Sequence, residues 1–397
     1  MKKQPRYILP LIILSQFAGT SLWFAGNAIL PDIQREIGNG DYNIGNITSA
    51  VQFGFISGTL VFAFLTITDR YRPSAIFFIS SVIAAIANLA VVAFAKDGLI
   101  LLCLRFVTGF FLAGIYPVGM KIAADWYEKG LGKALGYLVG ALVLGKAFPY
   151  LLTSVYALPW QQVLYFTSAF AISGGLLILL LVPDGPYRKA GSRLQPSAII
   201  HVFRSADFRS AAFGYFGHMW ELYAFWAFVP VMLKIYAEQN RLAINVPFWA
   251  FVTIGIGSIA CVAGGHWSQK IGSARVAFYA LICSGLCCLC SPFFFYLPPP
   301  LFLLLLLLWG IAVIADSPQF SALTAQTAEP AYKGTGITIV ICIGFAITIF
   351  SIQLMQFFLA ERPNTFTIFL PLLAIGPVIG LGYLYRLLKK DKRQIIP

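Results

Sequence analysis

Charged residues are scarce in this sequence. Aspartate, glutamate, lysine and arginine make up 11% of its 397 residues, whereas a soluble domain carries about 25%. Hydrophobic residues account for 59%, and the mean hydropathy is +0.81. So low a charge content excludes an ordinary soluble domain and is typical of a protein that crosses a membrane several times.

Sequence signatures of enzymes and metal sites are also missing. The chain has no Walker loop, no G-x-S-x-G elbow, no H-E-x-x-H motif and no paired-cysteine zinc pattern. It has three histidines, of which only His218 lies within an apolar segment. We therefore predict that the protein is not an enzyme and has neither a cofactor nor a metal site. Without nucleotide hydrolysis, the energy for any transport must come from a gradient.

The seven cysteines all lie in apolar stretches, which predicts free thiols rather than disulfides. Cys283, Cys287 and Cys290 share a helix face by their spacing. They could bind a soft metal or serve as small apolar side chains. The second interpretation is favoured, because thiolates in hydrocarbon without a cationic partner are costly.

Twelve segments are long and apolar enough for a membrane-spanning helix, which needs about 20 mostly apolar residues. We number them as spans 1 to 12: 7–30, 44–67, 75–95, 98–123, 131–155, 161–182, 211–235, 246–266, 274–296, 301–325, 333–358 and 365–387. A polar stretch with proline, glycine and five basic residues separates spans 6 and 7. The predicted fold is an all-α membrane protein with a six-helix bundle (1–182), a linker (183–210) and a second six-helix bundle with a basic tail (211–397).

Lysine and arginine are distributed unevenly between the predicted loops. With a cytoplasmic N-terminus, 21 of the 28 fall on the cytoplasmic side and five on the opposite side. Arg105 and Lys146 lie within spans. By the positive-inside rule, we predict a multi-pass protein of the cell (inner) membrane with both termini in the cytoplasm. The net charge of +13 then reflects topology, and we expect no nucleic-acid partner.

Weak internal symmetry relates the two predicted bundles. The loop after span 2 reads LTITDRYRP (65–73), and the corresponding loop after span 8 reads GHWSQKIGS (265–273). Pro117 in span 4 likewise corresponds to Pro318 in span 10. Internal repeats of this kind are a mark of transporter folds.

These motifs resemble the major facilitator superfamily over essentially the full length of the chain. LTITDRYRP is similar to the family's G-x-x-x-D-R-x-G-R loop and keeps Asp69 and Arg70. In span 4, LCLRFVTGFFLAGIYPVGMKIAADWY matches the family's arginine, glycine and proline at Arg105, Gly109 and Pro117. In span 5, GALVLGKAFP departs from the G-x-x-x-G-P-x-x-G-G motif of proton-driven exporters.

The resemblance implies two pseudo-symmetric six-helix bundles that work by alternating access. Spans 1, 4, 7 and 10 usually line the central cavity in this fold, and monomers are usual. The position of Arg105 is associated with proton coupling. Asp69 and Arg70 are expected to act in gating, where an acid at the end of span 2 can pair with a base and bias a near-balanced equilibrium.

Six ionisable side chains are expected within the spans or, for Asp125, near the cytoplasmic end of span 4, and such residues are rare in membranes and usually mark a substrate or proton path. They are Arg105, Asp125, Lys146, His218, Glu221 and Asp316. Glu221 lies near the middle of span 7, with His218 one turn earlier on the same face. Burial favours the neutral form of a carboxyl group, so Glu221 and His218 are predicted to hold and pass a proton. Asp316 and Arg105 complete the predicted coupling residues.

Static roles remain open for the same residues. Glu221 could form a permanent salt bridge with Lys146 or Arg105. Asp316 could accept a hydrogen bond at the bend made by Pro318, which removes a backbone donor. Arg105 could be a buried cation tied to helix-end carbonyls.

The predicted substrate cavity contains one cation and several neutral residues. Lys146 lies mid-way along span 5, too far from either end to reach the interface. It would therefore receive an anionic substrate or neutralise Glu221. The neutral cavity residues lie on spans 1, 4, 7 and 10: Trp23, Asn27, Tyr116, Tyr223, Trp226 and Gln319.

Together these features predict a proton-coupled secondary active transporter of a small organic solute, with anions as one candidate class. Its expected partners are the solute, protons and the lipid bilayer. One alternative is a proton-driven exporter of hydrophobic, drug-like compounds, favoured by the aromatic span 7 but opposed by the altered span 5 motif. An alternative from another class is a non-transporting membrane sensor or scaffold with the same fold.

Overall fold

A computed structural model of the chain describes residues 5–37, 42–127, 131–156, 158–188 and 198–393. The centre of the predicted linker, 189–197, lies outside the described residues, as do the first and last four residues of the chain. Every regular element in the described ranges is helical. The predicted all-α architecture is therefore confirmed.

Nine helices are described before the linker, and they cover the first six predicted spans. They are α1 (Ile8–Thr20), α2 (Ala25–Ile37), α3 (Ile44–Phe64), α4 (Ile67–Arg70), α5 (Pro73–Phe94), α6 (Gly98–Leu112), α7 (Tyr116–Trp126), α8 (Leu131–Tyr156) and α9 (Trp160–Leu181).

The remaining helices cover the end of the linker and the last six spans. They are α10 (Ala198–Val202), α11 (Ala206–Gln239), α12 (Val246–Gly255), α13 (Gly257–Ile271), α14 (Ser273–Phe294), α15 (Pro299–Ala315), α16 (Ser317–Thr327), α17 (Lys333–Glu361) and α18 (Ile375–Arg393), with 3-10 helices at Pro330–Tyr332 and Pro363–Ala374.

Eleven segments of the described chain are long and apolar enough to cross a membrane. They coincide with every predicted span except span 7. Span 7 lies within α11, which has 34 residues and is about 50 Å long at 1.5 Å per residue. Its polar residues, Glu221 among them, lower its hydropathy but leave it long enough to cross. The chain is therefore a multi-pass membrane protein.

Polar residues fix the starts of several helices. In four of them the residue before the first turn accepts a backbone N–H bond with its side chain, which satisfies a donor that the helix itself leaves unpaired. These residues are Asn43 for α3, Asp97 for α6, Ser205 for α11 and Asn245 for α12.

Backbone proximity divides the chain into two compact units. The first comprises Met1–Gly191 and Ala243–Ser258, and the second Ser192–Leu242 and Ile259–Pro397. In the first unit α12 packs against α8, where Asn245 Nδ2 donates to the carbonyl oxygen of Ser154 at 3.3 Å. The division into 1–182, 183–210 and 211–397 stays a prediction.

Four spans of the described chain are interrupted near their centres, among them span 8, where Ile256 separates α12 from α13. In span 1, Ser21–Phe24 separate α1 from α2, and in span 4, Ala113–Ile115 separate α6 from α7. In span 10, Asp316 alone separates α15 from α16. Proline explains two of the breaks, because Pro117 and Pro318 occupy the first turns of α7 and α16 and lack the N–H group that would continue the preceding helix.

Glycines let the long helices pack closely within each unit. A Cβ atom on Gly109 would collide with the carbonyl oxygen of Val51, so α6 and α3 touch through their backbones. In the second unit a Cβ atom on Gly217 would collide with the carbonyl oxygen of Gly376, between α11 and α18. Small residues serve this purpose at helix interfaces in membranes, and here they fix the helices that hold the charged side chains.

Candidate functional site

A buried pair of titratable side chains joins α11 to the break in span 10. His218 Nδ1 lies 2.8 Å from Asp316 Oδ1, and each side chain is 1% exposed. The rings of Tyr215 and Phe320 flank the imidazole, with centroids 6.0 and 5.8 Å away. His218 Nε2 has no hydrogen-bond partner among the described residues. The contact brings together an imidazole and a carboxyl group, two side chains that can each bind a proton.

Glu221 lies one turn after His218, and three donors surround its carboxylate. Trp309 Nε1 and Cys288 Sγ donate to Oε1 at 2.6 and 3.2 Å, and Ser284 Oγ donates to Oε2 at 2.9 Å. The side chain is 1% exposed, so these bonds replace the water that a carboxylate needs. No hydrogen bond in the described chain joins Glu221 to His218. The two side chains, predicted to act as one pair, instead form two neighbouring clusters.

Arg105 binds the interrupted part of span 1. Its Nη2 donates to the carbonyl oxygens of Leu22 and Trp23 at 2.9 and 2.8 Å, and its Nη1 donates to Asn88 Oδ1 at 3.0 Å. The side chain is fully buried. Both carbonyls belong to the break between α1 and α2, where the helical bonding pattern is interrupted. These contacts match the static alternative for Arg105.

Lys146 and Trp23 form a cation–π contact inside the first unit. Lys146 Nζ lies 3.8 Å from the centroid of the Trp23 ring, and both side chains are fully buried. Such a contact contributes about 2 kcal/mol when desolvated. One turn further along α8, the Tyr150 hydroxyl is buried and has no hydrogen-bond partner among the described residues. One face of α8 thus carries an ammonium group and a hydroxyl, two groups that can bind an anion.

The other predicted cavity residues of the first unit have different surroundings. Asn27 Nδ2 donates to Thr48 Oγ1 at 2.7 Å and so ties α2 to α3. Tyr116 is the first residue of α7, directly after the break in span 4, and is partly exposed. Both residues therefore lie within one turn of the break in their span.

In the second unit, the predicted cavity residues lie on α11 and α16. Tyr223 and Trp226 are one turn apart, with ring centroids at 5.3 Å, and Tyr223 also lies 5.2 Å from Phe345. Gln319 is in the first turn of α16, where its N–H donates to the carbonyl oxygen of Asp316 at 2.9 Å. Gln319 therefore lies one turn after Asp316, which contacts His218. Tyr223 and Trp226 form a separate aromatic contact on α11.

The predicted gating residues lie in the short connection between α3 and α5. Asp69 Oδ1 lies 3.1 Å from Lys121 Nζ on α7, and Arg70 Nε donates to Thr66 Oγ1 at 3.1 Å. Thr66 has a φ of 50°, a left-handed conformation that is uncommon for a β-branched residue. The connection is held in a defined shape, and the cation that pairs with Asp69 belongs to the same unit.

Sequence reasoning missed the partners of these charged groups. Asn88 could have been identified as a polar partner from the sequence, because it is a lone amide within the apolar span 3. Ser284 and Cys288, four residues apart on α14, read as small residues at a helix interface. Trp309, inside a run of leucines, gave only a hydrophobic signal. Their role depends on the approach of α14 and α15 to α11, which no local pattern encodes.

Buried charged side chains beside interrupted membrane helices define a class of protein, the secondary transporters. The chain belongs to the Major Facilitator Superfamily, because the model of that family matches residues 11–352. The predicted family and its fold are confirmed. So is the expectation that the chain belongs to a family of transporters rather than enzymes.

Two similar proteins give this assignment context. A protein of Cupriavidus necator named a probable sulfoacetate transporter, SauU, is 24% identical over 285 residues. The match covers 64% of this chain, and the chain spans 64% of the length of that curated relative. The crystal structure of the human organic anion transporter MFSD10 (TETRAN) is similar with a TM-score of 0.72 at 15% identity, covering 96% of this chain and all of that one. This second likeness shows the fold.

Proposed function

We propose that the protein is a proton-coupled secondary active transporter of a small organic anion that works by alternating access. The observation that carries the proposal is Lys146, a fully buried lysine in a membrane-spanning helix, whose Nζ lies 3.8 Å from the centroid of the Trp23 ring. An aromatic face offsets part of the cost of burying the charge. An anion that approaches the ammonium would offset more, so the site favours anionic solutes.

The two similar proteins support an anionic substrate. The Cupriavidus relative is named for sulfoacetate, which carries a sulfonate and a carboxylate, and the human fold relative is an organic anion transporter. Among the groups near Lys146, the Tyr150 hydroxyl is a second donor for such oxygens. We therefore infer a small sulfonate or carboxylate as the solute.

Proton coupling is assigned to the second unit. His218 and Asp316 share a buried contact at the break in span 10, and Glu221 lies one turn away on α11. Each can change its charge by one proton, and a bound proton would offset the charge of a transported anion. For Arg105 the contacts favour a structural role, in which it holds the turn that presents Trp23 to Lys146. Asp69 and Arg70 are assigned to gating through the connection between α3 and α5.

Uptake by purified protein in liposomes tests the proposal. We expect sulfoacetate, or a related small anion found in a competition screen, to accumulate when a pH gradient is imposed. Lys146→Gln removes the ammonium group and should raise KM by roughly 10- to 100-fold, because a hydrogen bond to a charged group contributes about 1.5–3 kcal/mol. Lys234→Gln, at a 70% exposed lysine, is the matched control. Anion uptake with an unchanged KM in Lys146→Gln would overturn the proposed binding role.

A second candidate is export of hydrophobic, drug-like compounds, favoured by the Tyr223, Trp226 and Phe345 cluster. Proton-driven movement of lipophilic cations, without competition by small anions, would support it over anion transport. A non-transporting sensor or scaffold would bind a ligand but move neither solute nor protons in the same liposomes.

We further propose that the chain resides in the inner membrane as a monomer with both termini in the cytoplasm. The concentration of lysine and arginine in the predicted cytoplasmic loops and tails supports the orientation, and the monomeric state is proposed because monomers are usual in this fold. A C-terminal green fluorescent protein fusion should fluoresce in cells, whereas an alkaline phosphatase fusion at the same point should be inactive. The reverse pattern would contradict the orientation.

A further inference from the structure

The two carboxylate oxygens of Glu221 have unequal partners. Oε1 faces Trp309 Nε1 at 2.6 Å and Cys288 Sγ at 3.2 Å, whereas among the described residues Oε2 faces one donor, Ser284 Oγ, at 2.9 Å. An indole N–H is a donor and never an acceptor, whereas a hydroxyl both donates and accepts. The oxygens therefore differ in their ability to carry a proton.

A proton on Oε1 would find only the Cys288 sulfur, a weak acceptor, within hydrogen-bond distance, because the indole N–H group that contacts Oε1 cannot accept. A proton on Oε2 is not limited in this way, because Ser284 Oγ can accept it. The Ser284 hydroxyl hydrogen then needs another acceptor, and the carbonyl oxygen of Leu281 lies 3.4 Å away. Turning the hydroxyl from Glu221 to Leu281 thus accommodates the proton with little movement of heavy atoms.

We propose that Trp309 and Ser284 are positioning residues for proton coupling by Glu221. This inference rests on the proposed function. Trp309 holds Oε1 and stabilises the ionised carboxylate, so the proton binds preferentially at Oε2, where a hydroxyl can accept it. On protonation an O–H bond forms at Oε2, the charge of Glu221 changes from −1 to 0, and Ser284 changes from donor to acceptor. On release the proton returns to water and Ser284 donates to Oε2 again.

The surroundings of Glu221 limit which other groups could produce the same pH dependence. On α11 itself the neighbour is His218, which contacts Asp316 at the start of α16. The charged residues of α17 lie in its end turns, those of α18 lie in its second half, where Arg386 pairs with Asp207, and α15 has none. The thiols near the middle of the packed helices are Cys283, Cys287 and Cys288 on α14 and Cys342 on α17, and α11 also carries Tyr215 and Tyr223. Because Trp309 and Ser284 do not titrate themselves, their substitution can shift a pH profile only through a titratable neighbour.

The test is the pH midpoint of anion uptake. Trp309→Phe removes a donor that favours the ionised form, so protonation should persist to higher pH. We expect the midpoint to rise by about one to two pH units, the shift equivalent to one charge-assisted hydrogen bond. Ser284→Ala should raise it by less, because the bond lost in the ionised state is partly offset by the bond lost in the protonated state. Ser284→Thr retains the hydroxyl and should restore the wild-type midpoint.

Matched controls separate positioning from general damage. Ser291→Ala removes a buried hydroxyl on the same helix whose bond is to the Cys288 carbonyl oxygen, and Trp267→Phe alters a 63% exposed indole. Both should leave the midpoint unmoved. A purely structural role of Trp309 or Ser284 would lower the rate at every pH without moving the midpoint, and that result would overturn the inference.

Infrared difference titration of the purified protein gives a readout independent of transport. The carbonyl stretching band of a protonated carboxyl group, identified by its loss in Glu221→Gln, should change frequency in Ser284→Ala and keep its wild-type position in Ser291→Ala. An unchanged band in Ser284→Ala overturns the inference. Absence of any pH-dependent uptake in the wild type, with the band behaving as expected, would instead contradict the proposed coupling.

Discussion

His218 and Asp316 connect a continuous helix to an interrupted one. Their Nδ1 and Oδ1 atoms lie 2.8 Å apart in a fully buried contact, and Asp316 is the residue at which α15 gives way to α16. A change of protonation in this pair therefore acts on the one point of span 10 where the helix is already broken.

This contact makes a prediction for its two single variants. His218→Gln and Asp316→Asn should each abolish proton-driven accumulation of the anion, while exchange of internal for external anion continues. If the pair is ionised, each change also leaves a buried charge and should cost about 3–5 kcal/mol of stability. The double variant should regain part of that loss. Uptake and thermal unfolding in detergent measure the two effects, with His266→Gln as the control. Additive losses in the double variant would show that the two side chains act independently.

Glu221→Gln preserves the shape of the side chain but removes its charge. We expect loss of pH-driven uptake with substrate exchange retained, since exchange needs no net proton movement. The change is measured by counterflow and by uptake under an imposed pH gradient in the same liposomes. Glu238→Gln, at an exposed glutamate paired with Lys234, should behave like the wild type. If Glu221→Gln retains both activities, Glu221 is not the coupling residue.

Two variants of Arg105 show whether the protein needs the positive charge at this position or the hydrogen-bond geometry of the guanidinium group. Arg105→Lys keeps the positive charge, but a single ammonium group cannot reproduce the fork that reaches Asn88 and two carbonyls. We expect both Arg105→Lys and Arg105→Gln to be destabilised, by about 1–3 kcal/mol for each buried acceptor left unpaired. Thermal unfolding in detergent measures the loss. Wild-type stability in Arg105→Lys would instead favour a role for the charge itself.

The Asp69–Lys121 pair predicts a small kinetic effect. Its side chains are 17% and 22% exposed, and pairs in contact with solvent contribute about 0–1 kcal/mol. Asp69→Asn and Lys121→Gln should therefore alter the exchange rate several-fold without changing KM, because they shift the balance between conformations. The double variant should match either single variant. A change in KM alone would indicate a contact with the solute rather than gating.

The sequence predicts the fold well because its signals are local. Each span carries its own run of apolar residues, and Pro117 and Pro318 mark two of the four breaks in the described spans. Span 7 was identified in spite of Glu221, because the apolar residues around it were counted over the whole segment. The break at Ser21–Phe24 has no proline and was not predicted, since it depends on the guanidinium of Arg105 from another helix.

The candidate site was predictable only in part. Buried charges could be located, because a lysine, an arginine or a carboxylate stands out in an apolar span. Their partners could not, because partnership depends on which helices meet and at what register. The pairing of His218 with Asp316, rather than with Glu221 on its own helix, is one example. The Trp309 indole is another, since its N–H group is hidden within a hydrophobic residue.

The continuity of α11 has a mechanical consequence. Spans 1, 4 and 10 are each divided, so the two pieces of each can change their mutual angle at a few backbone torsions. The 34 residues of α11, Pro230 included, form one continuous helix, with His218 and Glu221 near its centre. A continuous helix that tilts about its middle moves both of its ends at once and in opposite directions. A change of protonation near the middle of α11 that tilts the helix would therefore move residues at both faces of the membrane together.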